Sequence, residues 1–308
     1  MLAAALWQVV RLDALGGIDP STVNRYRLAL RAGADVSATM ESIAEYRRAL
    51  VLGASPMSLN ALRNVLDARM KSLDLMFGPS GAASSLDTEN DWATSQKAWA
   101  VLRNAPPGPS AMPLFSPLTN GMVSLLNDCD NGSGWNYDSN AASQNLSFVW
   151  FGQVPDAYED VSRSWVQSEL AVRRGGMPLK DRLIFSSTLG GVRNWFDLSG
   201  DNVPTYAATL GQLMPEHAKE FATLGPLADR YASTGTAYYK LLHDNVLYED
   251  RPTLDPARIA ATALPALRAS RVLGYQISFA LSELIAQRAQ VYNTRKIYIY
   301  AVILIGAL

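Results

Sequence analysis

Few side chains in this sequence have the chemistry for catalysis. The chain has two histidines, His217 and His243, which lie next to the carboxylates Glu216 and Asp244. A histidine beside a carboxylate is the beginning of a general base. Neither pair is accompanied by a nucleophile in a motif such as G-x-S-x-G, or by the zinc motif H-E-x-x-H. The sequence therefore predicts no catalytic residue and no cofactor, and surface histidines on helices are the expected interpretation.

One acidic run, NDCDNGSGWNYD at residues 127–138, contains the only candidates for a metal site. Its weak candidate ligands are Asp128, Asp130 and Asp138, because calcium takes oxygen ligands at alternating positions. When Gly132 is placed at the turn of an EF-hand loop, the acidic third ligand and the bidentate glutamate are both missing. A turn rich in Asn, Gly and Asp explains the same residues, so we expect no metal there.

Arginine clusters on predicted helices are the remaining charged feature. The formal net charge is -1, and acids lie close to each cluster. Self-neutralised, solvated helix faces are therefore favoured over phosphate contacts, and no strong nucleic-acid signal is present. The arginines are Arg25, Arg27, Arg31, Arg47, Arg48, Arg173 and Arg174, and the acids near them are Asp35, Glu41, Glu45 and Glu169.

Helices are expected through most of the chain, in a multi-helix, bundle-like body. Asp19-Pro20 and Ser55-Pro56 each combine a capping residue with proline at the first helical position, which predicts a helix start. Gly33 and Gly53 are expected to end helices. Further helices are expected at 1–15, 37–52, 56–77, 87–104, 156–174, 204–214, 215–224, 226–248, 256–269 and 270–293. Pro265 is expected to kink or split the helix at 256–269.

The middle of the chain is expected to be a small mixed α/β insertion. The runs Asn145–Val154 and Leu183–Thr188 are rich in β-branched and aromatic residues, which predicts strands. Residues 106–118 are dense in proline and predict an extended crossover. The expected regions are 1–105 (N-terminal helical), 106–200 (crossover and insertion), 201–296 (C-terminal helical) and 297–308 (apolar arm).

The last twelve residues, IYIYAVILIGAL, form an uncharged apolar run at 297–308. The run is shorter than the roughly 20 residues that a membrane-spanning helix needs, so no transmembrane segment is predicted. Its composition predicts an extended strand or arm, covered by its own core, by a neighbouring chain or by a membrane surface. The expected interface residues are Ile297, Tyr298, Ile299, Tyr300, Val302, Ile303, Leu304 and Ile305.

These features favour a non-enzymatic structural protein. The leading hypothesis is a viral or phage capsid subunit, shell-forming or shell-decorating, whose partners are copies of itself and other structural proteins. The lone Cys129 indicates a reducing compartment or a chain that needs no disulfide bonds, and secretion is not expected. Assembly in the cytoplasm is expected, and presence in the virion if the protein is viral. The alternative is an intracellular helical enzyme or ligand-binding protein with a site built from scattered residues, with His217, His243 and Asp244 as first suspects. A convergent polar pocket would favour that alternative.

Overall fold

The computed structural model describes residues 16–306, with side chains through Ile297. The structure is 86% helical, and no strand occurs among residues 16–306. The expected helix at 1–15 lies outside the described residues. The α-helices are α1 (Pro20–Leu52), α2 (Pro56–Phe77), α3 (Glu89–Arg103), α4 (Phe115–Ser133), α5 (Ala141–Phe148), α6 (Val154–Arg174), α7 (Leu179–Leu213), α8 (Ala218–Phe221), α9 (Leu224–Leu242) and α10 (Pro256–Gly306).

The helix starts at Pro20 and Pro56 are where the sequence predicts them. The Asp19 carboxylate accepts hydrogen bonds from the backbone N–H groups of Ser21 at 2.8 Å and Thr22 at 3.2 Å. The Ser55 hydroxyl accepts one from the N–H of Ser58 at 3.2 Å. Such caps satisfy backbone donors that have no partner within the helix.

The predicted helix end at Gly33 is wrong, because α1 continues through this residue to Leu52. Gly33 serves close packing instead. A Cβ atom at this position would lie 2.8 Å from Cε1 of Phe151, which is buried. Gly53, by contrast, has a φ of 78° and ends the helix in the left-handed conformation that favours glycine.

The predicted mixed α/β insertion is also wrong. Asn145–Val154 spans the end of α5, a π-helical segment at Val149–Gln153 and the start of α6. Its buried side chains, Leu146, Val149, Trp150, Phe151 and Val154, recur at helical spacing. Leu183–Thr188 lies within α7, where Phe185 and Thr188 are buried. Short apolar runs do not distinguish a strand from a buried helix.

The predicted C-terminal strand is replaced by helix. Helix α10 runs without a break from Pro256 to Gly306, past Pro265 and past the expected end at Asn293. A continuing helix satisfies its own backbone hydrogen bonds, whereas a strand needs a partner for each of them. Residues 307–308 lie outside the described residues. Among the helices of the described part, none has the length and hydropathy to cross a membrane.

The expected extended crossover at 106–118 is largely helical. Pro109–Leu114 forms a 3₁₀-helix, and α4 begins directly after it at Phe115. Gly108, with a φ of 130°, makes the turn into this segment, and its N–H donates to the Leu50 carbonyl at 2.8 Å. The proline-rich segment therefore packs beside the end of α1. The division of the chain into four regions stays a prediction.

Three long helices meet at the centre of the fold. Helix α6 packs against both α1 and α10, and α1 also contacts α10. Buried side chains from Ile18 to Val291 form one hydrophobic core that these helices share with the others. Helices α1, α6 and α10 also form the walls of a groove.

Candidate functional site

The predicted histidines lie in separate local settings. The His243 Nδ1 atom is 2.8 Å from the Asp244 carboxylate, at the start of the π-helical segment His243–Leu247. The His217 Nε2 atom lies 3.8 Å from the Glu283 carboxylate of α10. Each histidine thus has its own acidic neighbour. Neither lines the groove described below.

The structure does not assemble the weak metal candidates into a site. Asp138 forms a buried ion pair with Arg288 and accepts a hydrogen bond from the Tyr26 hydroxyl at 3.3 Å. Asp128 and Asp130 lie on α4, which continues through the expected Asn-Gly turn to Ser133. Within residues 16–306, no group of three or more His, Cys, Asp or Glu side chains has metal-site geometry.

The predicted interface residues lie at the end of α10. The Ile297 side chain is 68% exposed. The side chains from Tyr298 onward, which include the other predicted interface residues through Ile305, lie outside the described residues.

A groove of about 750 Å³ lies between α1, α6 and α10. The lining positions run from Glu41 to Leu52 on α1 and from Tyr158 to Arg173 on α6, while α10 contributes 264–271. They recur every three or four residues, so each helix presents one face to the groove. The charged side chains that line it are Glu41, Glu45, Arg48, Glu169, Arg173, Arg268 and Arg271.

Two of the groove arginines are held by ion pairs. Arg271 lies 3.6 Å from the Glu41 carboxylate and so joins α10 to α1. Arg173 lies 3.6 Å from Glu169 and also donates to the Leu52 carbonyl at 2.9 Å, at the end of α1. These contacts neutralise two arginines and two glutamates.

Two other groove arginines have no carboxylate partner among the described residues. Arg48 is exposed on α1 and stacks on Trp165, and Arg268 is exposed on α10. Glu45 is the one groove acid without an ion pair in the described part of the chain. The groove therefore contains two guanidinium groups and one carboxylate that are not in ion pairs among the described residues. These three groups together have a net positive charge.

The side chain of Trp165 is fixed from two directions. The Arg48 guanidinium lies 4.5 Å from the centre of its ring, and its Nε1–H donates to the Glu169 carboxylate at 2.6 Å. Cation–π contact and hydrogen bonding together hold the indole in one orientation. The indole is therefore a preorganised part of the groove.

A buried ion pair between Arg47 and Glu159 lies next to the groove and joins two of its helices. The Arg47 side chain is 1% exposed, and its Nη2 lies 2.7 Å from both oxygens of Glu159. Arg47 also donates to Ser162, which lines the groove, at 3.4 Å. Because Arg47 is on α1 and Glu159 on α6, this pair fixes the two helices relative to each other. Such a pair specifies geometry more than it adds stability.

The end of the groove at Glu41 is more buried than the part at Glu45 and Arg48. Burial raises the pKa of the Glu41 carboxyl, and the nearby Arg271 opposes that rise. Burial, followed by the charges of Glu41 and Glu45, also raises the pKa of the Tyr158 hydroxyl. Tyr158 is therefore a neutral hydrogen-bond donor at neutral pH.

The sequence does not predict this site, although the arginine clusters and the acids near them include several of its residues. Arg48, Arg173, Glu41, Glu45 and Glu169 were expected to be self-neutralised on solvated faces. Two of these acids do pair with arginines, but Arg48 does not pair with a carboxylate. The available signal was helical spacing, since charged positions recur on one face of each helix. Which three faces meet depends on the tertiary fold.

Comparison with known proteins found no matching family model, no matching curated protein and no matching solved structure.

Proposed function

We propose that this protein binds a small organic anion, such as a carboxylate, in the groove between α1, α6 and α10. The observation that carries the proposal is the presence of Arg48 and Arg268 without carboxylate partners among the described residues, in a cavity of about 750 Å³. Cavities of roughly 300–1,000 Å³ with a few convergent polar groups are typical of small-molecule sites.

Charge favours an anion over a cation. Glu41 and Glu169 are each engaged by an arginine, which leaves Glu45 against Arg48 and Arg268. Guanidinium groups present a planar fork of donors that matches a carboxylate, and they bind it more strongly than neutral donors do. An organic cation would meet one carboxylate and two repelling arginines.

The walls favour an organic ligand over an inorganic ion. Leu52, Leu62, Leu264 and Leu267 line the groove together with Trp165. A ligand with an apolar body would bury area against these side chains, which a hydrated inorganic ion would not do.

The test is calorimetric titration of the full chain with hexanoate. The wild-type protein is expected to bind, and Arg268→Gln to bind at least about tenfold more weakly, since a charged hydrogen-bond partner contributes about 1.5–3 kcal/mol. Arg258→Gln is the matched control, because Arg258 is exposed on the same helix and does not line the groove. Hexylamine, with the same chain and opposite charge, should not bind. Equal binding of hexylamine and hexanoate would contradict the proposal.

We also propose that the end of α10 mediates assembly. Ile297 is 68% exposed, and the helix continues through an uncharged sequence to Gly306. This observation favours assembly with copies of the chain or with other structural proteins, as in a capsid subunit within a virion. Sedimentation of the full chain and of a chain lacking 298–308 tests it. A monomeric full chain would contradict assembly, and an assembled truncated chain would contradict the role of this segment.

A further inference from the structure

A second cavity, of about 250 Å³, adjoins one end of the groove. We call it the annex. Glu41, Tyr158 and Arg271 line both cavities and form the shared wall between them. Beyond the shared wall, the annex is bounded by residues such as Ala38, Met40, Trp150, Val154 and Gly274.

The annex is apolar, unlike the groove. Apart from Glu41 and Arg271 of the shared wall, no charged side chain is among the described residues that line it. Trp150, which lines the annex, is 6% exposed. Gly274 permits this packing, because a Cβ atom there would lie 2.9 Å from Cζ3 of the Trp150 ring. An alkyl chain is the kind of ligand group that such walls accommodate.

The free arginines and the annex lie along one axis. On α1 and α6 the annex positions precede the groove positions in sequence, whereas on α10 they follow them, so α10 is antiparallel to both. Arg48 is seven residues beyond Glu41, a rise of about 10 Å along α1. Arg268 is three residues before Arg271, a rise of about 4.5 Å along α10. Along the helix axes the arginines therefore lie about 4.5 to 10 Å from the shared wall, a distance that a medium-length alkyl chain can span.

We propose that the ligand is a medium-chain alkyl carboxylate, with its carboxylate at Arg48 and Arg268 and its alkyl end in the annex. This inference rests on the proposed function and specifies its ligand. A chain that ends in the groove would leave the annex unfilled, whereas a longer chain would bury additional methylene groups there. Affinity should therefore rise with chain length until the annex is full.

The test is titration of the full chain with butyrate, hexanoate, octanoate and decanoate. Each methylene that enters the annex should tighten binding about three- to fourfold. In Ala38→Leu, which fills part of the annex from α1, octanoate should lose this gain while butyrate binds as in the wild type. Ala93→Leu is the matched control, because Ala93 is exposed on α3 and lines neither cavity. If thermal unfolding shows that Ala38→Leu is not folded, Ser278→Leu fills the annex from α10 and replaces it.

The outcomes separate this inference from the proposed function. If all four carboxylates bind with equal affinity, the groove is an anion site and the annex inference is wrong. If the gain with chain length is the same in a folded annex variant and in the wild type, the alkyl end lies elsewhere and the inference is again wrong. If no carboxylate binds, the proposed function itself is wrong.

Discussion

The guanidinium of Arg48 on α1 lies over the indole of Trp165 on α6, 4.5 Å from the ring centre. The Nε1–H of that indole donates a hydrogen bond to Glu169. A cation and an aromatic face are thus held together on the groove wall, and the cation has no carboxylate partner among the described residues. This arrangement is suited to a ligand that has a negative group next to an apolar body.

Replacing Arg48 with lysine should distinguish the contribution of its positive charge to ligand binding from that of its planar group stacked on Trp165. Arg48→Lys keeps the positive charge but loses the planar fork and most of the contact with Trp165. We expect hexanoate affinity to fall about three- to tenfold, with little change in the unfolding temperature, since the side chain is exposed. Arg31→Lys, also exposed on α1 but outside the groove, is the control. Unchanged affinity in Arg48→Lys would argue against direct contact with the ligand.

Removing Arg47 should strongly destabilise the fold. Arg47→Met leaves the partly buried Glu159 carboxylate without its main partner, which typically costs about 3–5 kcal/mol of unfolding free energy. Urea unfolding at neutral pH measures this loss. The matched control is Arg103→Met, because the Arg103 ion pair with Asp67 has side chains 47% and 33% exposed. That change should cost much less, because solvent screens an exposed ion pair, and similar losses in both variants would contradict the role given to Arg47.

Asp128 should make stability depend on pH. The pKa of Asp128 is raised to about 7, mainly by burial and to a smaller extent by the adjacent Asp91 carboxyl. An aspartate in the unfolded chain has a pKa of about 3.9. Between these values the folded chain binds more protons than the unfolded chain does. The contribution of Asp128 to stability is therefore fully present below about pH 4 and is lost as the pH rises through about 7.

Asp128→Asn tests this pH dependence. The neutral amide should stabilise the protein by about 1 kcal/mol at pH 8, a modest value because the carboxyl is partly exposed and solvent screens it. At pH 5 the effect should be smaller but not zero, because the folded aspartate is then still protonated while the unfolded one, with a pKa of about 3.9, is already largely ionised. Urea unfolding at both pH values provides the measurement, with the exposed Asp229→Asn as control. The same change in free energy at both pH values would refute the assignment.

Two helical glycines should respond in opposite directions to alanine. A Cβ at Gly235 on α9 would lie 2.0 Å from Cγ of the buried Phe196, so Gly235→Ala should cost about 1–3 kcal/mol by overpacking. Gly190 on α7 is exposed, and a Cβ atom added there would meet no other atom within 4 Å, so Gly190→Ala should stabilise by about 0.5–1 kcal/mol. Thermal unfolding of both variants checks the pair, and a stabilised Gly235→Ala would contradict the packing described for α7 and α9.

Local signals in the sequence predict part of the fold. Asp19-Pro20, Ser55-Pro56 and Gly53 mark helix boundaries because capping depends on neighbouring residues alone. Gly33 does not end a helix, since its role is set by contact with Phe151, which is far away in the sequence. The predicted strand at Asn145–Val154 fails for a related reason, because burial on a helix produces the same apolar run as burial in a sheet.

The candidate site could be predicted only in part. The sequence shows charges at helical spacing on α1 and α6, including Arg48 and Arg173. It does not show that α10 brings Arg268 and Arg271 to the same groove, because that contact depends on how helices distant in the sequence pack. The balance between paired and unpaired arginines is therefore a property of the tertiary structure.

The most direct test of the central claim is a crystal structure of the full chain with octanoate. We expect octanoate between α1, α6 and α10, with its carboxylate within hydrogen-bonding distance of Arg48 and Arg268 and its alkyl chain directed past Glu41 and Tyr158. An empty groove at saturating octanoate, or octanoate bound at another surface, would contradict the claim.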